Sequence, residues 1–311
     1  MKINEEYFLS NDKSTNIHMV TFIPEEKTIN GVIQISHGVT EHIMRYTDFA
    51  EYFTDNGFIV VGIDLLGHGL STNNGRKQMY FGPSGSWDYV VEDINTCFKI
   101  TKERYHNVPY IMLGFSLGSF LLRSFLIKYP NSVDASIIIG TGYTNPILLK
   151  LVKKIAIKES KISGEEYTTK KIKDLTFGTY NKKFAPNKTD FDWLLSSEYN
   201  LNNYIKDPLR GKYISCGLFR EMCDGMIYTG LNKNIKKMNK NMPILLLSGS
   251  NDSVGNCGKS IIKIYNKYQK SGIKDISYKL YNNLRHDILH EDNKLLVYND
   301  IKDWIINKIN K

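Results

Sequence analysis

Apolar residues in this chain follow two rhythms. The runs Gly31-Val-Ile-Gln-Ile-Ser36 and Phe58-Ile-Val-Val-Gly-Ile63 are near-continuous and too short for helices, which predicts central strands buried on both faces. Ile17-His-Met-Val-Thr-Phe-Ile23 alternates instead and reads as a half-exposed antiparallel strand. Tyr110-Ile-Met-Leu113, Ala135-Ser-Ile-Ile-Ile139, Pro243-Ile-Leu-Leu-Leu247 and Ile276-Ser-Tyr-Lys-Leu-Tyr281 repeat the strand signature. Between them lie stretches with helical spacing, at about 46–56 (ended by Gly57), 86–104, 119–128, 259–270 and 295–309. Strands alternating with helices predict an α/β class with a mostly parallel central sheet and helices on both faces. Ligands then gather at the carboxyl ends of the strands.

From Thr144 to Met242 no sheet strand is evident, yet aromatic residues are frequent, among them Phe177, Tyr180, Phe191, Trp193 and Tyr204. The expectation is a core made of residues 1–144 and 241–311, with residues 145–240 inserted as a basic helical cap after the strand near residue 139. Charge separates the two parts. Residues 145–240 hold 19 Lys and Arg against 10 Asp and Glu, an excess as large as the +9 of the whole chain, so the remainder is neutral. The cap opens on Pro146-Ile-Leu-Leu-Lys-Leu-Val-Lys-Lys-Ile, where Leu148, Leu151, Val152 and Ile155 share a stripe and Lys150, Lys153 and Lys154 lie opposite. Two readings stay open for that stripe: transient contact with an anionic membrane surface, or packing on the core and lining of a pocket.

Chemistry enters at Gly114-Phe115-Ser116-Leu117-Gly118, between a strand and a helix-like stretch. A Gly-x-Ser-x-Gly turn in that setting lifts a serine hydroxyl into a strained, accessible position. The motif alone recurs by chance in about one chain in ten of this length; the strand before it and the amphipathic stretch after it give it weight. Ser116 is therefore the candidate nucleophile. A nucleophilic serine needs a base, and the base needs a carboxylate to fix its tautomer. Asp252 is the one carboxylate in Ser248-Gly-Ser-Asn-Asp-Ser-Val-Gly255, a loop that follows a strand. Two histidines follow the last strand, His286 and His290; His286 is nearer the strand end and is preferred, with His290 as the fallback. The amide of Leu117 and one from the His37-Gly-Val-Thr-Glu-His42 turn, taken as Val39, are the expected oxyanion donors.

Taken together these pieces resemble the α/β-hydrolase superfamily, and within it the monoacylglycerol lipase and lysophospholipase group. The matching segments are His37-Gly-Val-Thr-Glu-His42 with Arg45-Tyr46, Asp64-Leu-Leu-Gly-His-Gly-Leu-Ser71, the Gly-Phe-Ser-Leu-Gly elbow, Gly249-Ser-Asn-Asp-Ser-Val-Gly255 and Arg285-His-Asp-Ile-Leu-His-Glu291. The resemblance implies a capped serine hydrolase acting on a carboxylic ester with a lipid-like acyl chain, with no metal or organic cofactor. It departs from the usual pattern at Thr40, where Gly is common, at Ser253, where Pro is common, and at Phe115, often a histidine near the glycerol end of the substrate. By the same resemblance Glu41 and Arg45 lie near the head-group end; an ordinary ion pair at a helix start is the competing reading. A peptidase or amidase on the same triad and a non-catalytic ligand receptor or membrane-docking module remain alternatives.

Composition narrows the rest. Forty-one per cent hydrophobic residues in 311 is enough for one large core. Neither a signal-like segment nor a membrane span is evident, so a cytoplasmic protein, at most peripheral at a membrane surface, is expected. Cys97, Cys216, Cys223 and Cys257 have no zinc spacing and read as reduced and structural. The lysines of the cap belong to no recognisable nucleic-acid-binding pattern, so no nucleic-acid partner is expected.

Overall fold

In the computed structural model, which describes residues 1–25, 28–73, 75 and 77–309, the strands are β1 (Lys2–Leu9), β2 (Asn16–Ile23), β3 (Gly31–Ser36), β4 (Phe58–Ile63), β5 (Tyr110–Phe115), β6 (Ala135–Ile139), β7 (Ile244–Gly249) and β8 (Ile276–Tyr281). The helices are α1 (Thr47–Asp55), α2 (Ser86–Arg104), α3 (Leu117–Lys128), α4 (Pro146–Ser163), α5 (Lys170–Phe177), α6 (Glu198–Lys206), α7 (Cys216–Gly230), α8 (Asn232–Ile235), α9 (Lys259–Lys270) and α10 (Lys294–Ile309). The sheet runs in the order β1-β2-β4-β3-β5-β6-β7-β8. Strands β3 to β8 are parallel, and β1 and β2 close one edge antiparallel. This is the α/β-hydrolase fold.

Both faces of β3 to β7 are covered, which explains their continuous apolar runs, whereas β8 lies at the edge with only Tyr281 buried. On one face Phe49 and Phe53 of α1 and Val297 and Ile301 of α10 pack on Ile33, Ile35 and Val60. On the other, Val90 and Ile94 of α2, Leu121 and Phe125 of α3 and Ile261 and Ile264 of α9 pack on Val32, Val61 and Ile244. Strand β2 differs from its expected half-exposure: all of its residues but the two at its ends are buried. Ile17 and Met19 enter the core on one face and Val20 and Phe22 the core on the other, while β1, which the hydrophobic pattern does not announce, pairs along its edge.

Helices α4 to α8 lie in segment 146–235, joined by loops, and α4, α5, α6 and α7 are capped locally at their starts. Asn145 accepts from the Ile147 N–H ahead of Pro146, and Thr169, Ser197 and Ser215 accept from the amides of Ile172, Asn200 and Leu218. Leu149, Ala156, Ile172, Leu218 and Cys223 join the main core, whereas Phe191, Trp193, Leu194, Leu195, Leu201 and Tyr204 form a cluster of their own. Helix α4 is turned relative to the expected stripe. Leu149 and Ala156 are buried and Lys153 bonds Asp224 of α7, while Leu148 and Leu151 face solvent at 51% and 54% exposure. Packing against α7 selects the line one residue away from the more hydrophobic one. Three of the four cysteines are buried; Cys257 is exposed.

Candidate active site

The turn from β5 into α3 places Ser116 at φ 50° and ψ −116°, a region L-residues avoid. Such a residue costs of the order of 1–3 kcal/mol. Helix α3 offsets it, since each fully buried Leu or Phe contributes about 1.5–3 kcal/mol and every α3 residue except Lys128 is buried. The bend also requires close backbone approach: a Cβ on Gly118 would lie 1.9 Å from the Ser36 carbonyl oxygen. The Ser116 N–H donates to the Ile139 carbonyl at 3.0 Å, pinning the elbow to β6.

From the loops after β7 and β8 come Asp252 and His286. His286 Nε2 lies 2.9 Å from Ser116 Oγ, and His286 Nδ1 lies 2.8 Å from Asp252 Oδ1. Asp252 also accepts from the Val254 N–H at 2.8 Å and the Ser248 hydroxyl at 3.0 Å. A carboxylate at Nδ1 fixes the ring proton there and leaves the Nε2 lone pair for the serine hydroxyl. Burial disfavours the imidazolium, yet the adjacent Asp252 charge and hydrogen bond outweigh it and hold the His286 pKa above its ordinary value. Beneath the imidazole lies Phe115, 2% exposed, with ring centroids 5.0 Å apart. Phe115 thus supports the base from inside the core.

Val39 and Thr40 follow β3 beside the elbow. Neither the Val39 nor the Leu117 N–H donates a hydrogen bond among the described residues. Thr40 adopts φ 62°, the left-handed region that favours glycine, and its hydroxyl meets the Val39 carbonyl and the Tyr204 hydroxyl, each at 2.6 Å. Glu41 and Arg45 form the ion pair of the competing reading. Glu41 pairs with Arg45 and accepts from the Gly38 N–H and the Tyr46 hydroxyl, and Arg45 reaches Asp287 at 3.1 Å. His290 is committed elsewhere: Nδ1 meets Asp287 at 2.8 Å and Nε2 meets the Arg45 carbonyl at 2.8 Å. Asp287 is held far below the carboxylate range, because His290 and Arg45 overcome its burial.

Sequence reasoning missed the roof. Trp193, buried, sits with its ring centroid 5.4 Å from that of His286; Phe177 stacks on it at 5.9 Å and Tyr180 packs tilted against it at 5.1 Å. The stretch that carries it is sewn to the histidine loop. Arg285 donates to the Leu195 carbonyl at 2.8 Å, the Asp287 N–H to the Leu194 carbonyl at 2.9 Å, and Ser196 to Glu291 through its hydroxyl at 2.6 Å. These contacts explain the charged residues that flank His286. The one available signal was the aromatic and aliphatic cluster Phe191-Asp-Trp-Leu-Leu195 inside an otherwise polar stretch.

Comparison with known proteins places the chain among esterases and lipases of the same fold. A monoacylglycerol lipase of Mycolicibacterium smegmatis is 23% identical over 290 residues, covering 90% of this chain and 89% of its own length. A thermostable carboxyl esterase from Bacillus coagulans, solved in complex with glycerol, superposes with a TM-score of 0.90 at 25% identity over 99% of both chains. A soluble variant of the monoglyceride lipase of Saccharomyces cerevisiae, solved with a substrate analog, shares the fold at a TM-score of 0.75 and 17% identity, with 99% of this chain and 96% of the other covered. A family model matches residues 27–293, a span from before β3 to the start of α10 that includes the elbow and both loops meeting it. The chain therefore belongs to the α/β-hydrolase family Hydrolase_4, described as serine aminopeptidase S33.

Proposed function

We propose that this chain hydrolyses carboxylic esters with a lipid-like acyl chain through an acyl-enzyme. Ser116 attacks the ester carbonyl while His286 takes its proton. The amides of Val39 and Leu117 hold the tetrahedral oxyanion, and His286 returns the proton to the leaving alcohol. Water then repeats the sequence on the acyl-enzyme. Asp252 fixes the imidazole and steadies its charge. The observation that carries the reading is the hydrogen-bond line from Ser116 through His286 to Asp252, beside two amides without partners. The named activities of the Mycolicibacterium and Bacillus relatives support an ester as substrate. Turnover of p-nitrophenyl esters from acetate to palmitate by the protein and its Ser116→Ala variant tests it. Activity that survives Ser116→Ala would sink the assignment, and the chain-length optimum sizes the acyl site.

The family description favours a second reading, removal of N-terminal amino acids. An aminopeptidase needs a carboxylate to hold the substrate ammonium, but the carboxylates nearest the triad, Glu41 and Asp287, are both paired with Arg45. Amino-acid p-nitroanilides cleaved faster than esters would favour that reading.

Residues 145–240 serve in this proposal as the cap that shapes the acyl site. Helix α4 presents Ile147, Leu148, Leu151 and Ile162 to solvent alongside exposed Lys150, Lys154 and Lys158. Such a face suits shallow insertion at an anionic lipid surface. No helix among the described residues is long and apolar enough to cross a membrane. Leu148→Glu with Leu151→Glu should weaken sedimentation with vesicles containing phosphatidylserine while leaving turnover of soluble short-chain esters intact.

A further inference from the structure

Among the described residues the other buried arginines are satisfied. Arg45 pairs with Glu41 and Asp287, Arg220 with Glu165 and Glu221, and Arg123 donates to oxygens of Tyr268, Thr141 and Thr229. Arg210 is the exception. It is 9% exposed, its Nη1 is out of water without an acceptor, and among the described residues it makes neither a hydrogen bond nor an ion pair. Its guanidinium lies over the rings of Phe191 at 4.5 Å and Tyr204 at 4.6 Å, which occupies the flat face and leaves the N–H edge unanswered. That residue lines a cavity of about 500 Å³ together with Lys206, Lys212, Tyr167 and Tyr213. Nearby, His42 has a second buried and unpaired nitrogen, Nδ1, while its Nε2 meets Asp207 at 2.7 Å.

We propose that this cavity is a phosphate-binding site. A guanidinium edge offers two parallel N–H donors that match two phosphate oxygens, and Lys206 and Lys212 add charge at the mouth. Two carboxylates share the wall. Asp207 is taken up by His42 and the Leu209 N–H, and Glu166 is exposed at the rim. The Tyr204 ring under Arg210 reaches Thr40 through its hydroxyl, so two side chains, Arg210 and Tyr204, link the cavity to the loop after β3. The phosphate is either the head group of a lysophospholipid or free inorganic phosphate. The first source rests on the ester hydrolase reading; the site itself does not.

Two measurements on the full chain test it. Inorganic phosphate should raise the melting temperature of the wild-type protein but not of Arg210→Met, and only weakly that of Arg210→Lys, which keeps the charge and loses the fork. Lys212→Gln, an exposed position, should lower phosphate affinity severalfold even if the Arg210 variants fold poorly. The ratio of kcat/KM on lysophosphatidic acid to that on the monoacylglycerol of the same chain should fall at least tenfold in Arg210→Met or Arg210→Lys. A lost phosphate shift with a lowered ratio assigns the head group. A lost phosphate shift with an unchanged ratio assigns free phosphate. Stabilisation by phosphate in a protein inert to every ester would remove the hydrolase reading and keep the site. No stabilisation by phosphate together with an unchanged ratio, or stabilisation by acetate alone, overturns the proposal.

Discussion

The two oxygens of Asp252 serve three donors: His286, the Val254 amide and the Ser248 hydroxyl. Asp252→Asn keeps the shape of this arrangement and removes the negative charge that stabilises the imidazolium. Turnover of p-nitrophenyl butyrate is expected to fall by about 10⁴, with little change in melting temperature. At Thr40 two effects nearly cancel. The left-handed conformation costs about 1–2 kcal/mol, and the hydrogen bond to Tyr204 returns about 1 kcal/mol. Thr40→Gly should therefore leave stability almost unchanged while loosening the Val39 amide, so kcat falls at constant melting temperature; an unaltered kcat would show that the tether is dispensable. Ser116, Asp252 and His286 were legible because each follows a strand in a short motif with fixed turn chemistry. Trp193 and Tyr204 were not, since what they touch is decided by how the cap folds back over the sheet, which no local period records.

Elements were legible where the residues of one segment carry a strand or helix period of their own, even on β8, where only Tyr281 is buried. Strands β3, β4, β6 and β8 and helices α2 and α9 coincide with the hydrophobic pattern. Strand β1 escaped because it is an edge strand with charged Lys2, Glu5 and Glu6 and mostly exposed side chains. The stripe on α4 misled because hydrophobicity and burial part company there: α7 chose the face carrying Leu149 and Ala156. The elbow is the least tolerant join between elements. Gly118→Ala would push α3 away from β3, since the added methyl overlaps the Ser36 carbonyl. Reduced soluble yield, or a melting temperature several degrees lower together with lost activity, is the expected result. Wild-type stability would contradict the close approach.

Acid stability belongs to the whole molecule. Burial lowers the pKa of His37 to about 4 and that of His68 to about 3 from an ordinary 6.5. Above pH 6.5 both are neutral folded or unfolded and contribute nothing to the pH dependence. As pH falls from 6.5 towards 4 the unfolded chain binds protons that the folded one refuses, so stability drops by about 1.4 kcal/mol per pH unit for each. His18 works in the opposite sense: burial lowers its pKa, but Asp64 and Glu5 more than compensate and raise it. Its stabilisation is present below pH 6.5 and lost as pH rises through the folded value. Net proton uptake on unfolding near pH 5, measured by calorimetry in two buffers of different ionisation enthalpy, checks the balance; net release would refute it.

The indole of Trp193 lies against the imidazole of His286 and is held by the contacts between residues 194–197 and 285–291. An imidazolium quenches indole emission and a neutral imidazole does so far less. Trp193 is therefore an internal lamp for the charge of the base. Tryptophan fluorescence should dim as pH falls through the raised His286 pKa, and Trp193→Phe should abolish that step while Trp87 and Trp304 continue to emit. The protonation state of a buried base then becomes visible in the resting protein, without substrate or label.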